Sequence, residues 1–300
     1  MSSVTGRIKE VKQPRGGYLK PSDFHKEIYD DHITLAPTEN IHSAILGMAT
    51  DYMVRFMLDD NPEEAFKVCR WGYENRLDAL IDTIPDEVAL ELKKERGYKK
   101  LSLGDIKRGL IAINDGDNSA DELIERIVGL DDESIVAVCK LVTYDVWLRD
   151  PIGASLAKGP AEINPDADTI HNIRTMIQRS VSFWKMKGPI TKDGFAFSEE
   201  NECGKVLKSG YTKTVTHGDG DYLTKDTMWE FKTTRSNITS KHTLQLLMYY
   251  IMGKHSEMDI YREIKKIGLF NPRLNVAYTL DVDNIPSDII ETVEKEVICY

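Results

Sequence analysis

The chain has 300 residues, 41% hydrophobic and 29% charged, with 20 glycines and 11 prolines. At roughly 100–200 residues per domain this is one large domain or two ordinary ones, and it excludes collagen-like and low-complexity chains. Lys and Arg number 39 against 49 Asp and Glu, a net charge of −10, which argues against a simple nucleic-acid coat.

No run approaches the ~18 consecutive apolar residues of a spanning helix. The opening stretch, MSSVTGRIKEVKQPRGG, has no apolar segment of the secretory type. Cys69, Cys139, Cys203 and Cys299 are scattered, with no CxxC pair and neither zinc nor disulfide spacing. These features make the cytoplasm the expected compartment, with no membrane association. Charge is unevenly spread. Between Glu27 and Asp150 there are 14 Lys and Arg against 27 Asp and Glu; between Lys205 and Arg273 there are 12 against 7; between Arg7 and Lys26 there are 6 against 2. An acidic body with a basic C-terminal part permits a polyanion site there, although a solvated face explains the same charges.

Residues 1–36 show no clear period and contain Pro14, Gly16-Gly17 and Pro21, so they read as a basic, irregular arm. Helical spacing follows in Ile41, Ala44, Ile45, Met48, Tyr52 and Phe56. Asn61-Pro62-Glu63-Glu64 combines an N-cap, a proline at the first helical position and first-turn acids, and starts a helix expected to reach Ile81. Further helices are expected over Asp86–Glu95, Leu103–Ile113, Ala120–Val128 (stopped by Gly129) and Glu133–Leu148. Residues 150–166, with three prolines and two glycines, read as a long connection.

A helix is expected over Ala167–Lys185, then the texture changes. Phe195–Phe197, Lys205–Leu207, Tyr211–His217 and Thr227–Thr233 are short and rich in β-formers. A helix capped by Thr239 or Ser240 runs to Lys254, followed by a strand over Leu274–Val282 and a helix over Ser287–Val297. The expected class is α/β (α+β): an α-helical region over 37–166, then a mixed central sheet flanked by helices over 167–300.

The segment from His217 to Thr234 carries the chemistry. On a strand, side chains alternate faces, so Glu230 and Lys232 share one face while Trp229 and Phe231 point to the other. If the strands pair across the intervening turn, Asp221 comes beside Glu230. Two converging carboxylates form a hard-oxygen site suited to Mg²⁺ or Mn²⁺. An adjacent lysine can orient a water or stabilise charge developing on a phosphate. The bland alternative is a hairpin with an ordinary Asp-Gly loop.

The residue types and their order resemble the PD-(D/E)XK nuclease superfamily, in its RecB-like branch with Cas4 and lambda-exonuclease relatives. Gly218-Asp219-Gly220-Asp221 looks like the branch's G-x-x-D, and Glu230-Phe231-Lys232-Thr233 like its (D/E)-x-K-T. Gln245 and Tyr249, at i and i+4 on one helix face, look like its Q-x-x-x-Y. The likeness covers about 167–280. It implies an Mg²⁺- or Mn²⁺-dependent nuclease, a hydrolase acting on nucleic acid, with DNA the expected substrate. Asp221 and Glu230 would bind the metal with the Phe231 carbonyl. Lys232 would position the attacking water, and Gln245 and Tyr249 would support the site or the nucleic-acid backbone. Relatives often add a ligand from a preceding helix; His42 and His171 are candidates, each more often an ordinary helix residue. The wide cysteine spacing departs from the four-cysteine pattern of Cas4, so no iron–sulfur cluster is expected.

The competing reading is a catalytically silent relative acting as a binding module, with the helical part holding a protein partner. A third is a helical protein whose motif is accidental. G-x-x-x-x-G-K-[ST], G-x-S-x-G and H-E-x-x-H are absent, which removes a P-loop motor and the common hydrolase and zinc-protease motifs.

Overall fold

The computed structural model describes residues 2–300, which fall into two compact units. One joins the N-terminal segment up to Ile33 to Arg179–Tyr300; the other is Thr34–Gln178. The expected divisions at 36/37 and 166/167 therefore stand at 33/34 and 178/179. The second falls inside one continuous helix, Ala167–Lys187, which no sequence signal interrupts.

The first unit is mixed α/β. Its strands are β1 (Ser2–Ser3), β2 (His25–Ile28), β3 (Ile190–Ala196), β4 (Ser198–Glu200), β5 (Val206–Ser209), β6 (Val215–His217), β7 (Asp219–Thr224), β8 (Thr227–Phe231), β9 (Lys266–Asn271) and β10 (Val276–Asp281). Six of them form the main sheet in the order β2-β10-β9-β8-β7-β3. The β8–β9 pair is parallel and the other pairs in this sheet are antiparallel. β4 and β5 form a separate hairpin, and β1 pairs with β6.

All five residues of β8 are buried, so helices cover both faces of the sheet there. On one face Met228 joins Leu244, Leu247, Met248 and Ile251 of the helix Ser240–His255. That helix is buried without a break from Thr243 to Tyr249, as expected of a helix apolar nearly all round. On the other face Trp229 packs edge-on against Phe183 and Trp184, and Phe183 stacks on Phe270 with centroids 3.8 Å apart. Each such buried aromatic contributes roughly 1.5–3 kcal/mol of burial free energy.

Gly220 lies directly across from Phe195 in the β3–β7 ladder. A Cβ at Gly220 would sit 2.0 Å from the Phe195 ring, so the ring occupies the space a side chain would take. Gly220→Ala is expected to cost about 1–3 kcal/mol by overpacking. The measurement is the urea midpoint, and an unshifted midpoint would rule out this ring-over-glycine contact.

The N-terminal arm is ordered where an irregular segment was expected. Val4–Glu10 is a helix whose N-cap, Ser3, accepts from the Gly6 amide at 2.9 Å, and Val4 and Ile8 are its buried anchors. Two apolar residues are too few to reveal a period. His25–Ile28 is mostly exposed and forms the edge strand beside β10, so it lacks an alternating signature.

The second unit is helical; among the described residues, no strand lies within it. Its helices include Ser43–Asp59, Lys67–Leu80, Asp86–Glu95, Leu103–Asp115, Ala120–Glu125 and Asp132–Leu141. Several expected boundaries shift. The helix expected from Asn61 to Ile81 breaks at Phe66, which buries its ring at the kink. The helix expected over Glu133–Leu148 is divided by a 3-10 turn at Val142–Tyr144. The expected connection 150–166 contains a helix, Pro151–Leu156, capped by Asp150 with proline at its first position. Gly72 lets the helix Lys67–Leu80 approach the Tyr144 carbonyl: a Cβ there would lie 1.8 Å from that oxygen. Asp145, 2% exposed, accepts from Tyr52 Oη at 2.5 Å and from Arg149 Nε at 2.6 Å. Among the described residues, no helix is long and apolar enough to cross a membrane.

Candidate active site

The β7–β8 hairpin turns at Lys225-Asp226, with Tyr222 opposite Trp229 and Leu223 opposite Met228. One further step in the same antiparallel register sets Asp221 across from Glu230. Asp221 Oδ2 accepts from the Phe231 amide at 2.6 Å, which holds the carboxylate against the Glu230–Phe231 backbone. Glu230 is 2% exposed. Lys232 continues the strand, its amide donating to the Phe270 carbonyl of β9 at 3.0 Å, and its ammonium donates to Glu230 Oε1. Glu230 and Lys232 thus share the face expected from the two-residue period, and Asp221 is the neighbour expected from pairing across the turn.

Gln245 and Tyr249 approach this face from the helix Ser240–His255. Gln245 Nε2 donates to Glu230 Oε1 and to Tyr249 Oη, both at 2.9 Å. Tyr249 Oη in turn donates to the Asp219 carbonyl at 2.6 Å. The pair therefore braces Glu230 on one strand against the backbone of the next. Burial, followed by the negative charges of Glu230, Asp221 and Asp219, drives the Tyr249 phenol well above its ordinary range, so its proton is retained.

Removing the Tyr249 hydroxyl takes the donor from a part-buried carbonyl and the acceptor from Gln245. Tyr249→Phe is expected to lower stability by about 1–3 kcal/mol. Chemical denaturation reads this directly, and a stability within error of the parent would mean that the hydroxyl is no brace.

Comparisons with protein-family models, curated proteins and solved structures find no match.

The loop after Lys232 is held from below. Arg273 Nε donates to the Thr233 carbonyl at 2.7 Å, and Asn271 Nδ2 to the Thr234 carbonyl at 2.8 Å. His242 was missed by sequence reasoning. Its Nδ1 accepts from the Thr239 amide at 3.3 Å, and burial together with the nearby Lys232 charge pushes its pKa down to about 4. It is neutral at pH 7, with Nε2 carrying the proton. Its place three residues after an N-cap threonine was the available signal.

The two helix histidines considered as further ligands lie in the helical unit. His42 caps the helix Ser43–Asp59, its Nδ1 accepting from the Ala44 amide at 3.2 Å, and His171 is exposed on the helix Ala167–Lys187. Among the described residues, no group of three or more His, Cys, Asp and Glu side chains is arranged to hold a metal. The hairpin instead brings together two carboxylates, Asp221 and Glu230, and the resemblance adds the Phe231 carbonyl as a further hard oxygen. A carboxylate offers about four lone-pair directions, so the bonds to Asp221 Oδ2 and Glu230 Oε1 are compatible with coordination. Two carboxylates and a carbonyl are hard ligands, and Mg²⁺ keeps several of its waters in such sites. The residues present fit a small divalent cation.

Proposed function

We propose that this chain is a divalent-metal-dependent nuclease that hydrolyses phosphodiester bonds, with DNA as the substrate, and that its sheet unit is a PD-(D/E)XK-like core. The observation that carries the reading is the meeting of Asp221, Glu230 and Lys232 on one sheet face, braced by Gln245 and Tyr249.

Asp221, Glu230 and the Phe231 carbonyl would hold Mg²⁺ or Mn²⁺. Such an ion, when bound, offsets phosphate charge and lowers the pKa of a water. Lys232 steadies the attacking water: an ammonium carries three donors, enough to hold Glu230 and reach a water or a phosphate oxygen. The water oxygen attacks phosphorus and gives up a proton to solvent, the bond to the departing sugar oxygen breaks, and that oxygen takes up a proton from solvent. Gln245 and Tyr249 keep Glu230 from turning away.

The test is incubation of the purified chain with single- and double-stranded DNA and RNA in Mg²⁺, Mn²⁺ or EDTA. Metal-dependent cleavage of DNA is expected. A folded chain that binds neither metal and cleaves nothing in the panel would favour the silent relative.

A further inference from the structure

The basic arm packs against the start of the helix that carries Gln245 and Tyr249. Its Gly16-Gly17 turn, with φ of +92° and +97°, closes on the start of the helix Ser240–His255. A Cβ on Gly17 would lie 2.7 Å from that of Ser240, and the Leu19 carbonyl accepts from Thr243 Oγ1 at 2.6 Å. Further along the arm, Lys26 Nζ donates to Asn237 Oδ1 at 3.4 Å and lies over the Tyr278 ring, 5.8 Å from its centroid. Asn237 and Ser240 both belong to the stretch that follows Lys232. The arm therefore meets that stretch at two separate places.

Lys12, Arg15, Lys20, Lys26 and Lys241 are exposed, and among the described residues none of them forms a salt bridge. Asp23, within the arm, accepts from the Lys20 amide at 2.8 Å. Neighbouring like charges repel, by about 1 kcal/mol for a pair ~4 Å apart in water. Between Arg7 and Lys26 six Lys and Arg stand against two acids, a local surplus that an anion would offset.

We propose that this arm, with Lys241, is the track that holds the phosphate backbone of a nucleic acid whose scissile bond lies at Asp221, Glu230 and Lys232. The proposal deepens the nuclease reading and rests on it. The cations are spread over residues 12–26 and Lys241 on the adjoining helix, and several separate charges suit a polymer of evenly spaced charges. The arm's Leu19 and Phe24 are buried in the core, so it lacks the exposed apolar face that seats a segment in a bilayer.

The test is fluorescence anisotropy of a labelled single-stranded oligodeoxynucleotide in EDTA across a KCl series. Alanine at Arg15, Lys20 and Lys241 together should raise Kd at least ~10-fold at low salt and reduce the log–log salt slope by about 2, at ~0.7 per phosphate contact. Arg15→Lys with Lys20→Arg and Lys241→Arg should restore both. Unchanged affinity and slope in the alanine variant would overturn the track. So would loss of binding to phosphatidylserine vesicles with oligonucleotide binding intact. Wild-type hydrolysis of bis(p-nitrophenyl) phosphate in Mn²⁺ reports the site separately. Its absence alongside a reduced salt slope would remove the nuclease reading and leave the track, whereas its presence with an unchanged slope would do the reverse.

Discussion

Lys232→Ala is expected to reduce phosphodiester hydrolysis by ~10²–10³ or more, the usual loss when one transition-state donor is removed. The variant also takes an ammonium from a carboxylate that is only 3% exposed. Gln245 still donates to Glu230 Oε1, so the chain should fold with stability lowered by about 1–3 kcal/mol. Circular dichroism and urea titration separate that effect from chemistry. Lys232→Arg keeps the charge but replaces a compact ammonium with a planar fork. It should fail if Lys232 orients the water and keep activity if charge alone attracts phosphate. Glu230→Gln complements it: the isostere can still accept from Lys232 and Gln245 but loses the negative charge that favours a hard cation. Wild type should gain thermal stability with Mn²⁺, by linkage to binding, and the Gln variant should gain little. Full cleavage by both Lys232→Ala and Glu230→Gln would sink the assignment of this face.

Arg179→Ala is expected to cost about 3–5 kcal/mol, the range for breaking a buried ion pair by removing one partner. Arg179 is 9% exposed and donates five bonds. Nε and Nη2 grip Asp31 at 2.6 and 2.8 Å, Nη1 reaches the Pro272 and Arg273 carbonyls at 3.0 and 3.1 Å, and Nη2 also reaches the Ile33 carbonyl at 2.7 Å. It thus ties the chain just after β2 to the β9–β10 turn. The Arg179 bonds, ahead of a smaller opposing effect of burial, hold the Asp31 carboxyl below its usual range. That stabilisation is present above the unfolded value of about 3.9 and is lost as pH falls through the lower folded value. Wild type should therefore lose more stability than Asp31→Asn between neutral pH and about pH 3, because asparagine does not titrate. Equal losses in paired urea titrations would show that this pair does not contribute to acid sensitivity.

The contacts that set these effects differ in how far apart their residues lie in the chain. Glu230 and Lys232 are two residues apart, and Gln245 and Tyr249 four; each spacing assigns a face through the geometry of one element. Asp221 was legible one level higher, because the hairpin closes over a two-residue turn. The helix Asp86–Glu95 stands at its expected boundaries, and its first-turn acids and last-turn lysines suit its dipole. By contrast, β9 (KIGLFN) has five buried residues in six and no alternation, since both its faces are covered, and it was not read as a strand. His25–Ile28 gave no signal because an exposed edge strand is defined by its partner.

The sequence alone determined the helical character of 37–150, the strand-rich texture after Ala167, and which side chains share a face around Glu230. Those properties follow from local backbone geometry, which repeats every two or 3.6 residues. Tertiary structure decided that the N-terminal arm completes the sheet, that Tyr249 reaches the Asp219 carbonyl, and that Arg179 joins Asp31 to the β9–β10 turn. Arg179 and Asp31 are 148 residues apart. Their pairing depends on how the whole chain closes, because a hydrogen bond requires its donor and acceptor within about 3 Å, and no periodic pattern in a one-dimensional sequence encodes that distance.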